Sequence, residues 1–189
     1  LPTSSLRLIE CPKNSAHNRY ENTRPISVAW TLSRSVADFT PADSAILVTE
    51  RVRDSFVKAG FRGFRYYPVI CVEYEPALRP DRSHEISDQA FAPEELQGKI
   101  WELWADLELK FDPAFGGQVK AVCDACGLRE LTRPTGAPLC FDFSNWNGED
   151  VVNLLGEAIY VSERVVRFAK KEGFTGVEFV PAKSIGQPL

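Results

Sequence analysis

Two stretches of the chain repeat one pattern of apolar and polar positions. Ala45 to Val69 reads AILVTERVRDSFVKAGFRGFRYYPV, and Ala158 to Ala182 reads AIYVSERVVRFAKKEGFTGVEFVPA. They align without a gap at a constant offset of 113, with eleven identical positions. In each, a short apolar run leads to Thr49 or Ser162, whose hydroxyl is expected to accept from a free amide at a helix start. Glu50 and Glu163 then fall in the first turn, where the helix dipole favours an anion. Arg51 and Arg164 are expected to tie their helices to a neighbouring carbonyl or carboxylate. Val52, Phe56 and Ala59, and likewise Val165, Phe168 and Ala169, recur at helical spacing and predict a core-facing stripe. Gly60 and Gly173 fall where a helix end takes a left-handed residue, with Phe61 and Phe174 placed to fold back on the last turn. A β-rich run to Pro68 or Pro181 follows. The pattern predicts one unit, helix–glycine–strand, used twice.

Between the copies, residues 100–111 alternate: Trp101, Leu103, Ala105, Leu107, Leu109 and Phe111 on one side, mostly charged residues on the other. Period 2 predicts a single half-buried strand. The stretch 75–95 is rich in Pro, Ser, Asp and Glu without periodicity and reads as a long acidic loop. Residues 132–147 read as irregular chain with short strands. The expected fold is α+β with mainly antiparallel sheets. The chain is expected to be one compact body of two similar halves, about 1–75 and 96–189, joined by the 75–95 loop.

Composition narrows the class. The 189 residues are 44% hydrophobic and 25% charged, which excludes a disordered or collagen-like chain. No apolar run reaches the roughly 18 residues a membrane helix needs, so no membrane partner is expected. A net charge of −4 argues against nucleic acid. Five cysteines at irregular spacing do not read as a disulfide framework, and a reducing cytoplasmic setting is expected. There is no methionine, the initiator included, which leaves room for a trimmed leader.

The sharpest chemical motif is Cys123-Asp124-Ala125-Cys126-Gly127, a knuckle in which two thiolates can face one ion. Its flanks, 119–122 and 128–132, read as the strands of a hairpin. A structural zinc site wants four ligands, and Cys11, Cys71, Cys140, His17 and His84 are single-residue completions that spacing does not choose between. The plain expectation is therefore a degenerate knuckle kept as a turn, with no cofactor; zinc at Cys123 and Cys126 is the alternative. His17 and His84 otherwise read as loose surface histidines. No phosphate loop, nucleophile elbow or paired-histidine helix is present, so catalysis has no motif and the chain is not expected to be an enzyme.

Charge is concentrated in 73–108, where ten acids meet three bases for a net −7. Its plain reading is a solvated loop and strand face, and its sharper one a surface that steers a basic partner. Candidate partner-binding residues are Glu85, Asp88, Glu94 and Glu95, with Trp104 and Trp146 as aromatic anchors. Trp104 interrupts the polar face of the alternating stretch.

The segment Trp146-Asn147-Gly148-Glu149-Asp150, then Ile159 to Val166, then Gly173 to Pro181, resembles the ending of bacterial double-CxxCG motif proteins, and Cys123 to Gly127 resembles one of that family's two cysteine motifs. The resemblance covers roughly residues 100–182. At the other motif, Cys11-Pro12-Lys13-Asn14 retains only the first cysteine. The resemblance implies an immunity protein of a polymorphic toxin system, acting in competition between bacteria. Such a protein binds and neutralises a cognate toxin by direct protein–protein contact, here a toxin expected to be basic. The alternatives are a zinc-knuckle binding module and an enzyme of unknown class.

Overall fold

The computed structural model describes residues 3–4, 6–22, 24–30, 36–42, 45–73, 92–112, 118–132, 141–154 and 158–181. In chain order the elements are β1 (Thr3–Ser4), β2 (Leu6–Ile9), a 3-10 turn (Ser15–His17), β3 (Arg19–Asn22), β4 (Ser27–Ala29), β5 (Phe39–Ala42), β6 (Ala45–Thr49), α1 (Glu50–Lys58), β7 (Phe64–Pro68) and β8 (Ile70–Cys71). There follow α2 (Pro93–Leu96), β9 (Ile100–Ala105), β10 (Glu108–Phe111), β11 (Gln118–Val122), β12 (Arg129–Thr132), β13 (Phe141–Asp142), β14 (Val151–Leu154), β15 (Ala158–Val161) and α3 (Glu163–Glu172). The class is α+β. One antiparallel sheet runs β5-β6-β9-β7; a second runs β13-β10-β14-β15, with β10 and β14 parallel. A small sheet β1-β4-β8 and the hairpins β2-β3 and β11-β12 complete it.

The stretch 100–111 is two strands, not one. It turns at Asp106, whose N–H donates to the Gly63 carbonyl at 2.9 Å, so that β9 enters the first sheet and β10 the second. Nor does β9 have a wet face. Leu103 packs with Val48, Val52 and Phe56 on the helix side, and Ile100 with Leu47, Ile26 and Val69 on the other. Glu102, on the side that alternation marks as polar, is 1% exposed. Arg24 meets it with Nε and Nη2 at 3.1 Å each, and the Arg24 guanidinium lies 3.7 Å from the centre of the Trp104 ring. Arg24 thus covers Trp104 while it pairs with the buried carboxylate.

Both helices form where the repeat predicts, and their apolar stripes share one core. Val52, Phe56 and Val165 are buried within it, and Ala59 and Phe168 pack against it. Phe56 makes ring contacts with Phe39, Phe61, Phe64, Phe168 and Phe174. Gly60 and Gly173 stop the helices at φ 66° and 64°. Phe61 and Phe174 fold back, their amides donating to the carbonyls of Phe56 and Ala169. Two details differ from the pattern. Ser162 caps its helix by accepting from the Val165 amide, but Thr49 donates its hydroxyl to Asp38 instead. And after Gly176 the run 177–181 is not a strand, whereas β7 is. The physical difference is β9: β7 pairs along one of its edges and β6 along the other, and the second copy has no such strand beside it among the described residues.

The loops after the helices cross between the halves. A Cβ on Gly63 would lie 2.5 Å from the Val151 carbonyl oxygen, and one on Gly176 would strike the Phe39 carbonyl and Ala37. Only glycine permits this approach, and both residues also sit at positive φ. Residues 74–91, which include most of the acidic loop, lie outside the described residues; within 92–95 the chain begins the short helix α2.

Candidate metal centre

Two loops build the site. In the first, β11 and β12 pair antiparallel as the sequence predicts, and the knuckle closes them: the Cys123 amide donates to the Leu128 carbonyl at 2.8 Å and Gly127 N–H to the Cys123 carbonyl at 2.7 Å. The second loop closes the β2-β3 hairpin. There the Cys11 amide donates to Asn18 Oδ1, and Asn14 caps the 3-10 turn by accepting from the Ala16 amide at 2.9 Å. That turn sets His17 facing Cys11.

The two loops meet. Cys11 Sγ stands 3.8 Å from Cys123 Sγ, and His17 Nδ1 is 3.9 Å from both Cys11 Sγ and Cys126 Sγ. All four candidate ligand atoms lie within 4.8 Å of one another. The fit to zinc can be tested on these spacings: a tetrahedron with arms of about 2.3 Å has edges of about 3.8 Å. Three thiols and one imidazole are also the donor set zinc takes in structural sites. The residues fit. The knuckle is thus joined by Cys11, the cysteine retained at the other motif, and by His17, and the four side chains could hold a metal ion such as zinc. His17 is accordingly no loose surface residue.

The local electrostatics favour a thiolate. Cys123 is pulled down to about 6, first by its bond with His17, then by the amides of Ala125 and Cys126 and the Cys126 thiol. At Cys126 the Leu128 amide favours the thiolate, but desolvation and the Cys123 and Cys11 sulfurs together outweigh it and raise the thiol. On the far side of the imidazole, Nε2 faces the Asn14 side-chain amide at 3.1 Å. Lys13 and Asp124 bridge the two loops at 2.6 Å, but both are exposed, so the pair adds little. A cleft of about 250 Å³ opens beside the site, between His17, Cys123 and Leu128. With four protein donors converging, a bound zinc ion would staple the N-terminal hairpin to the β11-β12 hairpin. No coordination position would be left for a substrate.

The other sequence candidates are scattered. Cys71 lies on β8, its thiol raised by burial. Cys140, His84, Glu85 and Asp88 lie outside the described residues. Glu94 is exposed on α2, and the Glu95 carboxylate accepts from the Ala92 amide at 2.8 Å, capping that helix. Trp104 is half-buried under Arg24. Trp146 is 47% exposed. No helix among the described residues is long and apolar enough to cross a membrane.

Pattern reading missed Asp38 and Asp150, which with Glu102 are the buried charged residues among those described. Asp38 accepts from Thr49 Oγ1, Arg51 Nη1 and the Thr175 amide. Asp150 accepts from Ser162 Oγ, Arg164 Nη1 and the Arg62 amide. The signal was present: each aspartate precedes its Thr49 or Ser162 by 11 or 12 residues. Set against family models and against curated proteins, the chain matches none of either.

Proposed function

We propose that this chain is a non-enzymatic, zinc-stapled binding protein, and that it works as an immunity protein, neutralising a toxin by direct contact. One observation carries the reading: among the described residues, the buried charged side chains are all engaged in ties that hold the fold. Asp38 and Asp150 serve the helix starts, and Glu102 is paired with Arg24. The titratable groups that do converge on one point, Cys11, His17, Cys123 and Cys126, form a closed ligand set. Acid–base chemistry wants a free, positioned group beside its substrate; the three carboxylates are tied up in the fold, and with zinc bound the donors beside the cleft would be taken as ligands. An inhibitor needs a stable shape instead. The immunity role itself is supported by the resemblance of the Cys123 to Gly127 and Trp146 to Asp150 segments, and a cytoplasmic place of action goes with it.

The test is co-expression with the C-terminal domain of the protein that the neighbouring gene encodes, as the candidate toxin. A complex that survives gel filtration, and rescue of growth, are the expected results. Absence of both overturns the immunity role. Metal analysis of chain purified without chelator tests the staple, with about one zinc per chain expected.

A further inference from the structure

The segment 141–149 carries an aromatic pair that the fold leaves bare. Phe143 is 55% exposed and Trp146 47%, with ring centroids 6.0 Å apart and nearly perpendicular. Phe143 in turn meets Phe141, which packs on Tyr160 of β15. The pair is held rigidly. Trp146 N–H donates to the Phe143 carbonyl and its indole Nε1 to the Glu149 carbonyl, both at 3.0 Å. Glu149 Oε2 accepts from the Asn147 amide, Asp142 Oδ1 from the Ser144 amide, and Arg62 donates to the carbonyls of Asn147 and Gly148. Since the indole N–H is already bonded within the turn, the exposed part of Trp146 is an apolar face offered to something outside. Rigid aromatics of this kind dominate binding energies where they are desolvated.

The rest of the chain shows what this protein places on such faces. Arg24 lies over Trp104, Arg53 over Trp101, Arg51 over Phe174 and Arg164 over Phe61, each within 5 Å of the ring centre. Among the described residues no guanidinium lies over Phe143 or Trp146. Two carboxylates flank the pair, Asp142 and Glu149, and the Ser144 bonds hold Asp142 below its ordinary value. A ring face draws cations, and carboxylates at its edge reinforce that attraction.

We propose that the Phe143–Trp146 pair, flanked by Asp142 and Glu149, is a docking site for an arginine-bearing segment of a protein partner, with a guanidinium seated on the indole face. This rests on the binding reading above and names the surface it uses. The surface selects a cationic partner by stacking as well as by charge.

The test uses the full chain with a blocked Gly-Arg-Gly-Arg-Gly peptide and the same peptide carrying citrulline, which keeps the shape and loses the charge. The Trp146 indole N–H signal, assigned with Trp146→Phe, is followed by NMR. It is expected to move with the arginine peptide and stay still with the citrulline one. Asp142→Asn with Glu149→Gln, which keeps the turn's hydrogen bonds, is expected to weaken binding at least about threefold. No movement, or equal movement with both peptides, overturns the proposal. The toxin domain gives the second arm, where Trp146→Ala and Phe143→Ala are expected to raise Kd at least tenfold. Wild-type affinity in those variants overturns the docking site and leaves the immunity role standing. A toxin domain that fails to bind the wild-type chain removes the immunity role, and the peptide result then decides the site alone.

Discussion

Asp38 and Asp150 occupy equivalent places in the two halves and make the same bonds. Each takes the hydroxyl at its own helix start, the arginine two residues on, and an amide from the loop that follows the other helix. The arginines complete the exchange. Arg51 reaches the Glu172 carbonyl at the end of α3 and lies over Phe174, and Arg164 reaches the Ala59 carbonyl at the end of α1 and lies over Phe61. The two copies of the repeat are clasped reciprocally, each arginine also meeting the negative end of the opposite helix dipole.

The clasp predicts a matched pair of losses. Asp38→Ala and Asp150→Ala strip a buried acceptor from four and three donors respectively and should each cost about 2–4 kcal/mol by urea denaturation. Arg51→Ala and Arg164→Ala remove half-exposed side chains and should cost about 1 kcal/mol each. Because the two aspartates tie the same pair of helices, the double variant should depart from additivity. Strictly additive losses would contradict a shared clasp.

Arg24 and Glu102 give a second prediction. Arg24→Ala leaves a carboxylate that is 1% exposed without its counter-charge and uncovers Trp104. A loss of about 3–5 kcal/mol is expected in thermal or urea unfolding. Joint replacement, Arg24→Met with Glu102→Leu, should recover most of it, because the apolar pair needs no compensation. If the joint variant is no more stable than Arg24→Ala alone, the loss does not come from the stranded charge.

These ties show how far the sequence could be read. The helix starts, glycine stops and core stripes were legible because each is set by residues a few positions apart. The strand after Gly176 was misread because a strand needs a neighbour, and of the two runs that follow the helices only β7 lies beside β9. The alternation through 100–111 runs unbroken across the turn at Asp106, so period alone could not show that two sheets divide it. Glu102 looked solvated for want of Arg24, 78 residues away. At the metal site, the knuckle was visible at close spacing. Its completion was not, because Cys11 lies 112 residues from Cys123 and the second donor of its loop is a histidine set by an Asn14-capped turn.

Tyr66 predicts a pH dependence. Its hydroxyl is buried without a hydrogen-bond partner among the described residues, and its ring packs on Phe64. Burial raises the phenol above its ordinary value, with Arg53 acting in the opposite sense. The folded chain therefore keeps this proton at pH values where the unfolded chain gives it up. Stability from this group is full below about pH 10 and falls as pH rises beyond it, by up to about 1.4 kcal/mol per unit. Tyr66→Phe should flatten that alkaline decline and raise stability at neutral pH by about 1 kcal/mol, since the stranded hydroxyl is gone. A variant that is less stable at pH 7 would mean that the hydroxyl is satisfied after all.

The metal centre separates residues that composition treats alike. Cys11→Ser and His17→Ala should each lower zinc affinity at least as strongly as loss of an outer partner does, by about 10–100-fold, whereas Cys71→Ser should leave it unchanged. Asn14→Ala touches no donor, yet it frees the 3-10 turn and the far side of the imidazole, so a loss of about tenfold is expected. Competition with a chromogenic chelator measures all four. Chelation should loosen the β2-β3 and β11-β12 hairpins, because a bound ion would tie their two loops through these four side chains, and leave the α1–α3 core folded. Hydrogen exchange reads the two regions separately. Faster exchange throughout α1 and α3 on chelation would show instead that the metal supports the whole fold, and an affinity in His17→Ala equal to wild type would remove the imidazole from the ligand set.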